Sequence, residues 1–247
     1  MFDIEKKKYD KDGFCVLKKL FNQQEIDELT LNINSFIEND AGKLSGRDIN
    51  YVDGKISSIH ALHKEDNYFT KLAAQERVLK AAEVFLNAKA ELRGAELFAK
   101  PAEVGLPSPM HQDNFYWCVS GHNALTMWVA LDYCNEKNGG LTYYQGSHKL
   151  GLIDHEDSFA PGSSQKVKEK YLKELGVDNL VTPSVEPGDV LVHHSLTIHG
   201  SAANKSMKSR RGFTMQFKDA SADYDKKMLE HYESHLMQQV TNRQSGK

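Results

Sequence analysis

The sequence has few cysteines, no long apolar run and no strong excess of charge of either sign. Its three cysteines, Cys15, Cys118 and Cys134, are spaced like neither a zinc knuckle nor a redox pair, so a reducing, cytoplasmic compartment is predicted. No apolar run approaches the roughly 20 residues that a membrane span needs, and the charged start MFDIEKKKYDKDG has no apolar signal-peptide segment. We therefore expect a soluble, intracellular protein without a membrane partner.

The balance of charge limits the expected partners further. The formal net charge is -3 and the sequence pI is near 6.4, which gives no electrostatic footprint for nucleic acid. The chain has 247 residues, enough to bury a sizeable core without disulfides or a structural metal. A small molecule is the expected partner, and the sequence does not indicate the oligomeric state.

The first 90 residues show helical periodicity in two segments. Residues 22–39 carry apolar side chains at steps of three and four, which form one helix face: Ile26, Leu29, Ile33 and Ile37. Asn22 suits the N-cap position of this helix. A second helix is predicted over Tyr68–Asn87, and the glycine-containing segment 41–55 predicts a loop with short strands.

After residue 90 the pattern changes to short runs of aromatic and β-branched residues between turn signals. These runs include AELFAK, ALTMWVALDY, GLTYYQG, DVLVHHSLTIHG and GFTMQFK, and such a series predicts a β-sandwich or barrel. The polar stretch 155–181 is a long excursion between strands and is predicted to act as a lid. We expect one domain over 1–247, with a helical layer over about 1–90, a β core over about 91–220 and a last helix over about 224–239.

The motif His111-Gln112-Asp113 is the first candidate for chemistry. Residues i and i+2 of a strand point to the same side, so an imidazole and a carboxylate converge there. Two protein ligands hold a metal poorly, and His199, after a strand-like run and before a glycine, is the best-placed third. Two histidines and one carboxylate form the facial triad of non-haem Fe(II) oxygenases. The alternative is a structural pair of polar residues.

Arg210 is the second candidate, at the start of a strand-like run that follows His199. A planar guanidinium matches a carboxylate through two parallel hydrogen bonds, so Arg210 suits the far end of a dicarboxylate that chelates iron. Ser201 would add a hydroxyl to the same carboxylate. The alternative is a surface cation within the basic run that contains Lys205, Lys208 and Arg211.

Seven motifs in register resemble the phytanoyl-CoA dioxygenase family of Fe(II)/2-oxoglutarate-dependent oxygenases over roughly residues 10–220. They are IHALH (59–63), LFAKP (97–101), HQD (111–113), TMWVALDY (126–133), NGGLTYYQGSH (138–148), PGDVLVHHSLTIHGS (187–201) and SRRGF (209–213). The resemblance implies a mainly β fold, a double-stranded β-helix or cupin-like jelly roll, with N-terminal and flanking helices.

The resemblance also implies the cofactors and the site. Fe(II) would be held by His111, Asp113 and His199, with O₂ and 2-oxoglutarate as co-substrates. Arg210 is implied to bind the distal carboxylate of 2-oxoglutarate and is preferred to Arg211. Further cofactor-binding positions implied by the resemblance are Ser201, Trp128 and Lys100.

Two departures from the family pattern bear on the site. Members often carry a lysine three residues before the HALH segment, where this chain has Ser57, and Lys55 is expected to substitute for it. Related halogenases carry a small residue at the carboxylate position of the triad, so the presence of Asp113 argues against halogenation. His194 resembles a histidine that the family keeps beside the metal strand, with a supporting or packing role.

The substrate is the least determined feature. The family acts on acyl-CoA thioesters, solutes, amino acids, phosphonates and natural products, and an anionic or zwitterionic small metabolite is the hypothesis here. Its expected contacts are Arg47, His60, Tyr116 and Trp117. The predicted reaction is hydroxylation of an unactivated C–H bond with release of succinate and CO₂. The alternative is a sensor or binding protein that binds metal and 2-oxoglutarate without turnover.

Overall fold

The computed structural model describes residues 2–46, 48–160, 163–230, 232 and 234. Seven α-helices begin and end there: α1 (Asp3–Asp12), α2 (Gln23–Asn39), α3 (Leu62–Glu65), α4 (Asn67–Ala73), α5 (Glu76–Leu86), α6 (Asp113–Trp117) and α7 (Glu169–Leu175). A further helical segment covers 226–230. Among these described residues, no helix has the length and apolar character needed to cross a bilayer.

Thirteen β-strands are found in the same described part of the chain. They are β1 (Phe14–Leu17), β2 (Ile49–Val52), β3 (Lys55–Ile59), β4 (Ala90–Lys100), β5 (Ser108–His111), β6 (Ala124–Ala130), β7 (Leu141–Tyr144), β8 (His155–Ala160), β9 (Ser163–Val167), β10 (Leu180–Val181), β11 (Val190–His194), β12 (His199–Ser201) and β13 (Arg210–Asp219).

The strands form two antiparallel sheets and a hairpin. The larger sheet has the order β1-β11-β6-β13-β4-β3-β2, the smaller has the order β10-β7-β12-β5, and β8 pairs with β9. Apart from β2, β3 and β4, strands that are neighbours in these two sheets are distant in sequence, as in a double-stranded β-helix. The predicted jelly-roll class is the architecture observed.

The two faces of the larger sheet differ in chemistry. One face packs against the helices in a continuous apolar core, to which the sheet contributes Ala95, Leu97, Leu125, Met127, Val129, Val190, Val192, Phe213, Met215 and Phe217. Strand residues alternate between faces, so the intervening residues point to the other side. That inner face carries Glu96, Phe98, Lys100, Thr126, Trp128, His193, Arg210, Thr214 and Gln216, as the ladder registers show. A row of polar groups thus lies inside the β-sandwich.

The first predicted helix is confirmed and the second is divided. Asn22 caps α2 in a capping box with Glu25, as its sequence suggested. The single helix predicted over Tyr68–Asn87 is wrong, because Gln75 is extended and separates α4 from α5. Arg77, two residues after the break, donates to Gln75 and to Glu25 of α2, and these contacts fix α5 against α2.

The polar excursion 155–181 has more structure than its sequence indicated. It contains the β8–β9 hairpin, α7 and the short strand β10, which extends the smaller sheet beside β7. The predicted last helix is present over 226–230, and most of the remaining positions up to 239 lie outside the described residues.

Candidate active site

His111 and Asp113 converge by a different local geometry from the one that sequence predicts. Strand β5 ends at His111, and Asp113 is the first residue of the short helix α6. Gln112 between them remains extended, with φ -115° and ψ 129°. Because one extended residue still separates them, the two side chains emerge on the same side. The expectation that both lie on one strand is therefore wrong, although their convergence is observed.

His199 completes a group of three metal-binding side chains. It pairs directly with His111 across strands β12 and β5, and the ligand atoms of His111, Asp113 and His199 lie within 4.8 Å of one another. The Nε2 atoms of His111 and His199 are 3.5 Å and 3.7 Å from Oδ1 of Asp113. Donors bound to one metal at about 2.1 Å and at right angles lie about 3 Å apart, so this spacing fits a facial triad.

Local hydrogen bonds orient both imidazoles toward the centre of the group. Nδ1 of His111 lies 2.8 Å from the carbonyl of Pro109, and Nδ1 of His199 lies 2.9 Å from the carbonyl of Thr197. A carbonyl only accepts, so each Nδ1 carries the proton and each Nε2 keeps a free lone pair. Burial, with His193 and His111 nearby, lowers the pKa of His199 well below its usual value. The ring is thus held neutral, the form that binds metals.

The carboxylate of Asp113 is held by two groups on the inner face of the larger sheet. Its Oδ2 accepts a hydrogen bond from the hydroxyl of Thr126 at 2.7 Å and one from Nε2 of His193 at 3.1 Å. Oδ1 is left facing the two ligand imidazoles. Burial alone would raise the pKa of Asp113, but His199, His111 and His193 outweigh it and hold that pKa well below the usual range. The carboxylate is therefore ionised.

Sequence reasoning missed His193 and assigned the supporting role to its neighbour. His194 points to the other face of β11, where it packs at 6.1 Å from the ring of Tyr9 and 5.7 Å from that of His148. A packing role for His194 is observed, and the supporting role belongs to His193. The strand Val190–His194 is apolar on both faces up to its two histidines, so its alternation does not reveal which of them faces the metal group.

Arg210 and Arg211 have distinct partners. Arg211 makes a bidentate ion pair with Asp132, at 2.9 Å and 2.8 Å, on the outer side of the sheet. Arg210 is buried on the inner face, and its Nε and a terminal nitrogen donate to the carbonyl of Gly139 at 3.0 Å and 2.6 Å. The guanidinium lies 5.4 Å from the ring of Trp128. Of the two, Arg210 is the cation whose charge no carboxylate contacts among the described residues.

Lys100 lies beside this guanidinium on the neighbouring strand, and Ser201 lies on β12 of the smaller sheet. Lys100 pairs directly with Arg210 across β4 and β13, donates to the carbonyl of Leu106 and is buried. Burial, with a smaller contribution from Arg210, lowers the pKa of Lys100 to about 7. The hydroxyl of Ser201 is buried and makes no hydrogen bond to any described residue. Two buried cations and an unsatisfied hydroxyl together fit a ligand carboxylate.

The comparisons with known proteins agree with this geometry. The family model for phytanoyl-CoA dioxygenase (PhyH) matches residues 9–212. The chain belongs to the phytanoyl-CoA dioxygenase family. The bovine peroxisomal phytanoyl-CoA dioxygenase is 26% identical over 237 residues, which cover 89% of this chain and 69% of that protein. A probable alpha-ketoglutarate-dependent hypophosphite dioxygenase of Stutzerimonas stutzeri is 25% identical over 233 residues, or 90% of this chain and 80% of that protein.

Solved structures show the same fold. EctD from S. alaskensis with bound Fe has a TM-score of 0.77 and 25% identity, over 92% of this chain and 79% of that one. The same enzyme with 2-oxoglutarate and 5-hydroxyectoine also gives 0.77. The predicted family, the jelly-roll fold and the dioxygenase class are thereby confirmed. Iron and 2-oxoglutarate, the predicted cofactors, are present in these solved relatives.

In this family member, one predicted cofactor contact, Lys55, is not part of the buried group. Lys55 is exposed at the first residue of β3, whereas β3 pairs with β4 only through Ser58 and Ile59. The structure therefore gives no support for Lys55 as a substitute for the family lysine. Arg47 lies outside the described residues.

Of the other predicted substrate contacts, Tyr116 borders the triad. His60 pairs with Glu96 at 3.2 Å. The ring of Tyr116 stands edge-on to His111 at 5.7 Å, and its hydroxyl donates to the carbonyl of Gln165 in β9. Trp117 is buried, and no more than its edge reaches solvent. Tyr116 therefore links the triad to the β8–β9 hairpin.

Gln112 has a role that its position between two ligands did not suggest. Its buried side-chain amide donates to the carbonyls of Gly151 and Leu196 and accepts from the amide of Ile153. Its backbone amide donates to Nε2 of His155 at 3.1 Å. Gln112 thereby holds the segment 151–155, which leads into the excursion, next to the metal group.

Proposed function

We propose that this protein is an Fe(II)/2-oxoglutarate-dependent dioxygenase that hydroxylates an unactivated C–H bond of a small polar or anionic metabolite, releasing succinate and CO₂. The observation that carries the proposal is the convergence of His111, Asp113 and His199, with two free Nε2 atoms and one free carboxylate oxygen facing each other. Three protein ligands leave three positions of an octahedral metal open for co-substrates.

The residues present fit both cofactors. His111, Asp113 and His199 would hold the iron, and Arg210 with Ser201 would bind the distal carboxylate of 2-oxoglutarate. The orphaned hydroxyl of Ser201 is the observation that supports the second assignment, because a buried hydroxyl without a partner costs free energy that a bound carboxylate would recover. When bound, the iron and 2-oxoglutarate supply the activation of O₂ and the oxidising equivalents.

The protein contributes orientation and exclusion of water. Thr126 and His193 fix Oδ2 of Asp113, so that one oxygen faces the ligand imidazoles. The ring of Trp128 lies against the guanidinium of Arg210, and the position of Gly212 allows this, since a Cβ there would lie 1.9 Å from a ring atom of Trp128. We propose that the β8–β9 hairpin, held by Tyr116, covers the site during reaction.

The first experiment is an anaerobic titration of the apoprotein with Fe(II) and 2-oxoglutarate. We expect the weak visible charge-transfer band of the chelate in the wild-type protein, and its loss in His199→Ala and Arg210→Ala. His194→Ala is the matched control, because its side chain lies on the opposite face of β11. No band in the wild-type protein would reject the proposal.

A second measurement separates an oxygenase from a sensor on the same fold. Admission of O₂ to the anaerobic complex should produce succinate in a single turnover, and the correct substrate should accelerate it. A complex that shows the band and yields no succinate under O₂ would be a binding protein.

The extent of the domain and its compartment are part of the proposal. We propose that 1–247 form one oxygenase domain, because residues from Tyr9 to Phe217 share one apolar core. A reducing, cytoplasmic compartment is proposed on the three cysteines, each of which is buried and free of a disulfide.

A further inference from the structure

Arg93 is a part-buried arginine outside the metal group and outside the group around Arg210. It is the extra residue of a β-bulge on β4, since Gln216 pairs with Gly94 while Phe217 pairs with Leu92. A bulge turns one side chain out of the regular alternation, and bulges recur beside active sites. Here the guanidinium contacts Gln216, so it is directed to the inner face.

The guanidinium of Arg93 is positioned but incompletely bonded. One terminal nitrogen donates to Oε1 of Gln216 at 2.7 Å, and the group lies 4.8 Å from the ring of Trp117. Its Nε is buried and has no hydrogen-bond partner among the described residues. A cation held on an aromatic face, with an unused N–H, is ready to bind an anion.

The acids near Arg93 are each engaged by other groups of the described residues. Glu91, two residues before Arg93, pairs with Lys218 at 3.1 Å. Glu96 is the acid that most favours the charged form of Arg93, but its carboxylate is engaged by His60 at 3.2 Å and accepts from Nε2 of Gln216 at 2.9 Å. Asp113 acts on Arg93 only through space, because its two oxygens face Thr126, His193 and the ligand imidazoles. The part-buried guanidinium of Arg93 therefore lies near two ionised carboxylates, and no carboxylate of the described residues is in direct contact with it.

Arg93 lies at a distance from the metal group that a small molecule can span. Thr126 pairs with His193 on one side and with Gln216 on the other. Thr126 and His193 hold Asp113, and Gln216 holds Arg93. Neighbouring strands are about 4.8 Å apart, so Thr126 and Arg93 are separated by roughly 10 Å. Gly94 supports this placement, because a Cβ there would lie 2.8 Å from Oε1 of Gln216.

We propose that Arg93 binds an anionic oxygen group of the substrate, a carboxylate or a phosphate, and so directs a C–H bond of a small molecule toward the iron. Trp117, whose ring lies under the guanidinium, is then a positioning residue for Arg93. This role takes the place of the direct substrate contact predicted for Trp117. The proposal rests on the proposed oxygenase function and narrows its substrate class to small oxyanions.

The test uses the anaerobic protein saturated with Fe(II) and 2-oxoglutarate, and probes it with acetate, glycine, inorganic phosphate and methylphosphonate. Acetamide is the neutral probe. We expect at least one anion to perturb the charge-transfer band of the wild-type complex without displacing 2-oxoglutarate. Arg93→Gln should weaken that binding by about ten-fold or more, with partial recovery in Arg93→Lys. Carboxylate and phosphate probes distinguish the two sources of the anion.

Arg77→Gln is the matched control, since Arg77 is also a part-buried arginine but pairs with Glu25 on α2. The inference is overturned if no anion perturbs the band, if acetamide binds as well as the anions, or if Arg93→Gln leaves anion binding unchanged. Loss of the band itself in Arg93→Gln would also overturn it, because the residue would then support the metal group. Absence of the band in the wild-type protein would instead reject the proposed oxygenase function, on which this inference rests, whereas a band that no anion perturbs rejects the inference alone.

Discussion

His193 donates from Nε2 to Oδ2 of Asp113, at 3.1 Å, and thereby fixes the carboxylate of the candidate metal group. An ionised carboxylate only accepts, so Nε2 carries the proton and Nδ1 accepts from the hydroxyl of Tyr143 at 3.0 Å. The tautomer of His193 is therefore set by its two partners. Such an outer contact orients a metal ligand as effectively as a direct bond orients the metal.

Replacement of His193 tests this role. His193→Gln should weaken Fe(II) binding by about 10- to 100-fold, because a flexible amide replaces the rigid imidazole donor and only Thr126 still holds Oδ2 of Asp113 in place. The measurement is an anaerobic Fe(II) titration, or the same titration with Mn(II). His194→Gln, which alters the opposite face of β11, should change the affinity little. Equal losses in the two variants would show a general effect on β11.

The two adjacent arginines should differ in their effect on 2-oxoglutarate. Arg210→Gln should raise the dissociation constant of 2-oxoglutarate by about 100-fold, since a buried charge-assisted contact is worth about 2–3 kcal/mol. Arg211→Gln should leave that constant nearly unchanged and cost some stability through loss of the pair with Asp132. The band intensity at increasing 2-oxoglutarate gives both constants, and the reverse ranking would assign the carboxylate to Arg211.

The lowered pKa of Lys100 predicts that the stability of the unliganded protein depends on pH. Burial and Arg210 lower the pKa of Lys100 to about 7 from its usual value of 10.5. Between these two pH values the unfolded chain binds more protons than the folded one, so the contribution of Lys100 to stability increases as pH rises from about 7 to about 10.5. Urea unfolding of wild type and Lys100→Met across this range should show the rise in wild type alone.

The same residue predicts proton uptake when 2-oxoglutarate binds. An added dianion near Lys100 favours its charged form and raises its pKa. Affinity for 2-oxoglutarate should therefore decrease above about pH 7, by at most about ten-fold per pH unit. Calorimetry in buffers of different ionisation enthalpy measures the uptake, and its persistence in Lys100→Met would assign it to another group.

The hydrogen bonds of Gln112 predict that the stability of the segment 151–160 depends on this residue between two ligands of the metal group. Gln112→Ala removes three buried hydrogen bonds to residues 151, 153 and 196, and should lower the free energy of unfolding by about 3 kcal/mol. Amide exchange over residues 151–160 should accelerate more than that of β6. Gln23→Ala, on the exposed side of α2, is the control. Unchanged exchange in the excursion would remove Gln112 as its anchor.

Much of this molecule is determined by local sequence. The capping box at Asn22 and Glu25 sets the start of α2, because its hydrogen bonds join residues three apart. The spacing His111-Gln112-Asp113 brings two ligands together whether the backbone is a strand or, as found, a strand end followed by a helix, since one extended residue separates them in both cases.

Other features depend on packing between distant segments. No proline or glycine marks the break between α4 and α5, which follows from contacts of Arg77 with Gln75 and with Glu25 of another helix. The hairpin in 155–181 is similarly hidden, because the strands β8 and β9 are polar and are held through Gln112 and Tyr116.

Two pairs of identical adjacent residues show what the sequence alone does not decide. His193-His194 and Arg210-Arg211 each place one side chain on the inner face of the larger sheet and one on the outer face. Composition is the same within each pair, so only the pairing of β11 and β13 with β6 decides which member enters the site. The sequence determined the residue types, the family and the three ligands. The tertiary structure decided which histidine supports Asp113, which arginine is left without a carboxylate, and that a bulge directs Arg93 inward.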